Sequence, residues 1–236
     1  MSMGGYPFTS VMSVREWQRQ QIEALAERFA PNVLVVRFTG QPESGEELAP
    51  GQVVGGILFE EAMALGDLPG VVDVAYRGGG STSIDGNIRI TRVPVSEQIF
   101  DVLGLELSAG HGLTADDRTL DLPVAVLGAT VAAELFGGAD QAVGKAVELG
   151  HGMVARVEGV LAPIPEGVAE FASLNVAALV PNASAFSLGL GDERPVGSYA
   201  FVQYDPRQAE VALQSVRRAV SDLPVGQVHE VLDSRE

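Results

Sequence analysis

The sequence predicts an α+β fold in which the two ends of the chain form a ferredoxin-like unit and the middle is an inserted, mostly β subdomain. Three observations lead to this. Near the start, VLVVRF at residues 33–38, a helical stretch over about 58–68 and VVDVAY at 71–76 make a strand, helix, strand succession. Near the end, AFVQY at 200–204, a helical run to about residue 223 and VGQVHEVL at 225–232 repeat it, and each closing strand follows a Leu-Pro pair. Two split β-α-β units in one domain are the ferredoxin-like pattern, and the glycine-rich stretch of short apolar runs between them must then be an insertion. The expected division is 1–79 and 198–236 for the two halves and 80–197 for the insert.

The elements follow in order. Ser13-Val-Arg-Glu16 has capping-box form, so a helix is expected from there to Pro31-Asn32, with Trp17, Ile22, Leu25 and Phe29 near one face. Residues 40–56, polar and glycine-rich, read as a loop or irregular hairpin. GGGSTS at 78–83 reads as a turn between the two parts, with Gly78, Gly79 and Gly80 as a hinge. In the middle, IRITRV at 88–93 alternates like a half-buried strand, VSEQIFDVLG at 95–104 fits a short helix, and VAVLG at 124–128 is a buried strand run. A helix over 129–136 follows, then KAVEL, VARVEGVL and NVAALVP as strands. Asp205-Pro206 supplies an N-cap and a first-turn proline to the last helix, whose apolar positions are Val211, Leu213, Val216, Val220 and Leu223.

Composition narrows the function. The 236 residues are 46% hydrophobic, enough for real cores. A formal charge of −16, with acids spread along the chain and no basic stripe, disfavours nucleic acid as a partner. The absence of cysteine removes disulfides, thiolate metal sites and thiol nucleophiles. No stretch of about 20 apolar residues offers a membrane span, and the first residues lack the pattern of a signal peptide.

Searches for chemistry end without a constellation. FGGADQAVGKAVEL at 136–149 suggests a phosphate loop, but five residues separate Gly138 from Gly144 and Ala146 follows Lys145, so both the spacing and the magnesium-binding hydroxyl are wrong. His111, His151 and His229 lie far apart without metal-ligand spacing. Asp116-Asp117 reads as a helix cap rather than an acid-base pair, and the glycines at 189–191 lack the rest of a dinucleotide fingerprint. No cofactor and no metal are expected in this chain.

Four pieces in order, VSEQIFDVLGLELSAGHGLTADD, LPVAVLGATVAAELFGGADQAVGKAVEL, ARVEGVLAPIPEG and AALVP, resemble the extracytoplasmic core domain of MacB/FtsX-type ABC transporter permeases. The likeness covers residues 68–181, with the flanks similar in architecture only. Its signature positions are Phe100, Gly110, Gly128, Leu135, Phe136, Gly137, Gly144, Lys145, Gly159, Val160 and Pro181; His111 departs, standing where the family usually has Arg. In that family 124–149 is strand, helix, turn and strand, so Gly137 and Gly138 end a helix, Gly144 turns into KAVEL, and Lys145 is a surface charge. The resemblance implies a porter-like part and a sabre-like insert on the outer side of the membrane, with one membrane helix before the domain and three after. The chain then reads as an excised domain. ATP and Mg are implied only for a separate cytoplasmic nucleotide-binding domain or subunit. The implied partners are the rest of the permease and its ATPase, and an extracytoplasmic adaptor, lipoprotein or hydrolase, with a homodimer in the full transporter and the state of the isolated domain open. Motion of the outer domain would expel a substrate, release a lipoprotein or activate a partner. The alternatives are a freestanding secreted ligand- or protein-binding module and a hydrolase with a dispersed site.

Overall fold

A computed structural model describes residues 32–38, 57–85, 88–150, 152–165, 173–182, 196–223 and 229–233. The expected helix at Ser13, the 40–56 loop, His151 and the glycines at 189–191 lie outside these residues. In chain order the first strands are β1 (Val33–Phe38), β2 (Ile57–Leu58), β3 (Val71–Gly78), β4 (Ser81–Asp85), β5 (Ile88–Val95) and β6 (Leu107–Gly110). They are followed by β7 (Val124–Leu127), β8 (Ala146–Glu148), β9 (Val154–Leu161), β10 (Ala177–Pro181), β11 (Val196–Tyr204) and β12 (His229–Asp233). The helices are α1 (Phe59–Ala64), α2 (Ile99–Leu103), α3 (Ala115–Thr119), α4 (Ala129–Phe136), α5 (Ala139–Ala142) and α6 (Ala209–Ser221).

The α+β expectation is met. The twelve strands among the described residues all join one mixed sheet, in the order β12-β1-β11-β3-β5-β10-β7-β9-β6, with β2 on β11, β4 on β5 and β8 on β9. In its first four strands β1 lies between β12 and β11, antiparallel to both, and β11 lies between β1 and β3, antiparallel to both. Each strand, helix, strand succession therefore places two parallel strands with one strand of the other unit between them, which is the split β-α-β arrangement. Every strand from β4 to β10 lies beyond β3. There the pairing is mixed: β5 with β10 and β7 with β9 are parallel, and β7 with β10 and β6 with β9 are antiparallel.

Strand alternation sorts the core into three clusters. Val33, Val35, Ala75, Val93, Val95, Val124, Val126, Leu179 and Phe201 share one cluster with Ile99, Phe100, Val102 and Leu103 of α2. The neighbouring positions Leu34, Val36, Val74, Tyr76, Ala200 and Val202 face the other way, under α6 and α1. Ile90, Ala125, Leu127, Ala178 and Val180 likewise pack with Val131 and Ala132 of α4, at the insert's end of the sheet. One face of the sheet is thus buried continuously on both sides of β3, and the opposite face is covered by two separate clusters.

Several elements differ from the reading of the sequence. GGGSTS is not a turn throughout: Ser81 begins β4, which pairs with β5 from Ser81↔Arg92 to Asp85↔Ile88, leaving Gly79 and Gly80 as the connection. IRITRV is not half-buried along its length, because from Arg92 to Val95 both faces of β5 are covered. The helix expected over 95–104 starts only at Ile99, since Val95 completes β5 and Ser96 is used elsewhere. Residues 139–142, to which the sequence reading gave no element, form α5. In the last helix Val211 is exposed, and the buried stripe is Ala209, Ala212, Leu213, Val216 and Val220. Asp205 does cap, accepting from the Arg207 N–H at 2.9 Å, but the first turn is a 3₁₀ helix and α6 begins after it.

The junction between β3 and β5 carries polar contacts as well as the shared cluster. Only Arg77↔Val95 pairs in register. Beyond it, the Tyr76 N–H donates to Ser96 Oγ at 2.9 Å and the Ser96 N–H donates to the Tyr76 carbonyl at 3.0 Å. Arg118 of α3 forms a two-pronged pair with Glu97, Nε and Nη2 each 3.0 Å from a carboxylate oxygen. Its guanidinium lies 5.5 Å from the centre of the Phe59 ring of α1, which meets Tyr76 edge-on at 5.3 Å. Burial alone would raise the Glu97 carboxyl, but the hydrogen bond and charge of Arg118, with backbone and Gln98 bonds, outweigh it and hold the group below its ordinary range.

Two expectations follow for solution. Gly128 precedes α4 with its backbone against the loop before β10: a Cβ there would stand 2.0 Å from the Leu174 carbonyl oxygen. Gly137 ends α4 at φ +84° with open space around it. By chemical denaturation Gly128→Ala costs about 3 kcal/mol or more from overpacking, whereas Gly137→Ala costs about 1 kcal/mol from left-handed backbone alone. Glu97→Gln costs about 1.5 kcal/mol at neutral pH, the worth of a charged hydrogen-bonded pair. Because the folded carboxyl titrates below the unfolded one, this contribution is complete above the unfolded value of about 4.3. It is lost as pH falls through the folded value, so the gap between wild type and Glu97→Gln closes in acid; a gap of constant size would exclude the carboxylate as its source.

Candidate functional site

The signature residues assemble a scaffold. Gly137 caps α4, and Leu135 and Phe136 are half-buried against the cluster under that helix. The Gly144 N–H donates to the Val157 carbonyl at 2.8 Å and the Lys145 carbonyl accepts from the Val157 N–H at 2.8 Å, so Gly-Lys is stitched by its backbone to β9. The Lys145 side chain is exposed. Gly110 and Gly159 face each other across β6 and β9, Val160 is buried beside them, and Pro181 ends β10 opposite Val95. Phe100 sits apart, in α2, with its ring against Gly112. Gly78 pairs with Gly197, and a Cβ on it would meet Pro94 Cγ at 2.7 Å; Gly79 and Gly80 lead into β4.

The polar groups are arranged for structure. His111 Nε2 lies 3.2 Å from Glu158 Oε2, and Arg156 meets the other oxygen of the same carboxylate, whose side chain is 8% exposed. His111, at the position where the resemblance leads one to expect Arg, thus stands beside a buried carboxylate. Asp117 accepts from the Thr114 N–H at 2.7 Å and the Thr114 hydroxyl at 2.8 Å, and its own N–H returns to Thr114 Oγ1. That is a helix cap. Arg92 is buried in β5 with Nη1 3.2 Å from Met153 Sδ, and burial pushes the guanidinium down. Burial also raises the Tyr76 phenol, with the charge of Glu60 adding to it. Among the described residues no His, Asp or Glu side chains are grouped to hold a metal ion. A groove of about 260 Å³ lies between residues 104–106 and 161–165, and the backbone of Ile164 in its lining is held by Asn175, which accepts from the Ile164 N–H at 2.9 Å and donates to the Ile164 carbonyl at 2.6 Å.

Sequence reasoning did not find Ser96, Glu97, Arg118 or Glu158. No spacing rule connects them to their partners, since Tyr76 is 20 residues from Ser96 and Glu97 is 21 from Arg118. Among the described residues no helix is long and apolar enough to cross a membrane.

Comparison with known proteins gives the placement. The chain is 29% identical over 163 residues to the macrolide export ATP-binding/permease protein MacB of Hyphomonas neptunium, a match covering 64% of this chain and 23% of that protein, so it spans about a quarter of its relative. Its fold superposes on the periplasmic region of MacB from Actinobacillus actinomycetemcomitans with a TM-score of 0.68 at 19% identity, covering 92% of this chain and 95% of that one. The extracellular domain of the noncanonic ABC-type transporter YknZ from Gram-positive bacteria superposes with a TM-score of 0.62 at 21% identity, covering 85% and 100%. The family model described as MacB-like periplasmic core domain matches residues 8–220. The chain belongs to that family, the extracytoplasmic core domains of MacB/YknZ-type ABC transporter permeases.

Proposed function

We propose that this domain performs no reaction itself and transmits movement from membrane helices to the outer face of the membrane. The observation that carries the reading is the pairing of β1 with β12, where Leu34 stands opposite Asp233. Chain entering β1 and chain leaving β12 therefore lie side by side at one edge of the sheet, suited to arrive from and return to one membrane surface. A displacement applied there acts on strands whose shared core reaches Val124 and Leu179 of the insert. ATP and Mg would act on a cytoplasmic nucleotide-binding domain or subunit, in keeping with the ATP-binding/permease relative.

The proposal includes a division into a porter-like part, 1–79 with 198–236, and a sabre-like insert, 80–197, pivoting at Gly78, Gly79 and Gly80. Its partners are the rest of the permease and its ATPase, a second copy in the full transporter, and an adaptor, lipoprotein or hydrolase outside the membrane.

A flexible Gly/Ser linker placed directly after Asp233 in the parent permease absorbs displacement without unfolding the sheet. The expected outcome is continued ATP hydrolysis with loss of the exported or released product, read as macrolide resistance, lipoprotein release and hydrolase activation in turn. Undiminished output through the linker would overturn mechanical transmission.

A further inference from the structure

We propose that Arg118 is a clamp that fixes the angle of the inserted part against the ferredoxin-like part. The contact joins three elements distant in sequence. Arg118 belongs to α3 and Glu97 to the turn after β5, both within the insert, while Phe59 belongs to α1, which covers the other part. A guanidinium serves this geometry because its edge and its face make different contacts: the edge donates two parallel hydrogen bonds to a carboxylate while the face lies over a ring. Here the edge holds Glu97 at 3.0 Å twice, and the guanidinium carbon lies over the Phe59 ring, 5.5 Å from its centre.

Both ends of the clamp are anchored. The Glu97 side chain is 14% exposed and that of Arg118 33%. The short helix carrying Arg118 is pinned at its start by the reciprocal Thr114 and Asp117 bonds. Phe59 is held edge-on by Tyr76, whose backbone is bonded in both directions to Ser96, the residue preceding Glu97. Arg118, Glu97, Ser96, Tyr76 and Phe59 thus close a ring of contacts across the β3 and β5 junction. Within it the ring-face contact is the one that opens without uncovering the shared core, so it is where the angle can yield. The core limits how far the parts separate and the clamp selects one setting within that range.

This inference deepens the proposed mechanical role and is measurable without it. The chain has no cysteine, so spin labels can be placed on two exposed helix positions, Glu134→Cys in α4 and Gln214→Cys in α6. Pulsed dipolar spectroscopy on the full chain should give one narrow distance distribution in the otherwise unchanged protein. Arg118→Lys, which keeps the charge but loses fork and face, should broaden it, and Phe59→Leu, which keeps apolar bulk, should broaden it similarly. The double variant should be no broader than the wider single one, because both remove the same contact. Circular dichroism confirms that each variant is folded, and the two conservative single variants carry the test if the double variant is not. Unchanged distributions in folded Arg118→Lys and Phe59→Leu would overturn the clamp, as would fully additive broadening. A clamp seen here together with undiminished export in the linker variant would separate the two ideas, sustaining the clamp and removing the transmission.

Discussion

The structure depends on one constraint: a single sheet face must be buried continuously from β1 to β7, across two units that are distant in sequence. Val33 and Val35 of β1, Phe201 of β11, Ala75 of β3, Val93 of β5 and Val126 of β7 all contribute to one cluster, closed by α2. Apolar area removed from water stabilises by about 25 cal/mol per Å² wherever it lies, so neither unit can turn away from the other without exposing residues that are now almost wholly covered. The opposite faces carry no such link. There α6 covers one unit and α4 the other, and each can be packed independently.

That division explains what was legible in the sequence. Local period and caps identified most strands and helices, because Val124 to Leu127 or Ala129 to Phe136 declare themselves within a few residues. The split β-α-β ends were readable for the same reason: two Leu-Pro punctuated successions recur. The four-piece resemblance named the family. What could not be read is the pairing across the junction. Ser96 looks like the start of a helix in VSEQIFDVLG until Tyr76 is known to stand beside it. Ser81 to Ser83 read as turn because small polar residues carry little strand preference, and only β5 as a partner makes them part of a strand. Val211 has the composition of a core position and lies on the solvent side of α6, since a valine's identity does not specify the phase of its helix.

The signature positions teach a related point about motifs. Gly-Lys after a glycine-rich run looks like a phosphate loop when read as side chains, yet its role here is carried by the main chain: the Gly144 N–H and Lys145 carbonyl bracket Val157 on β9. Gly128 is needed because the Leu174 carbonyl occupies the space a side chain would take. A pattern composed of glycines at close approaches and apolar plugs such as Leu135 and Phe136 specifies a shape and supplies no reacting group. The pattern therefore identifies a fold whose use depends on what it is attached to.

A domain with such a shared face is suited to pass on displacement. Cores packed like organic crystals transmit strain with little loss, and the strands next to the two chain ends, β1 and β12, are direct neighbours. In the proposed mechanism, load entering at that edge would reach β3 through β11 and then meet a junction with one paired register position, Arg77↔Val95. The backbone ladder is thinnest there, so in the proposed mechanism the contacts that reinforce it, Ser96 on Tyr76 and Arg118 between Glu97 and Phe59, would determine how stiffly the far strands follow. Directional polar contacts suit that place because they lose most of their strength within a small displacement, whereas the apolar cluster beneath them gives way only over a larger one. On the proposed mechanism, stiffness at the junction would be set by a few side chains and integrity by many, which would let one vary without the other.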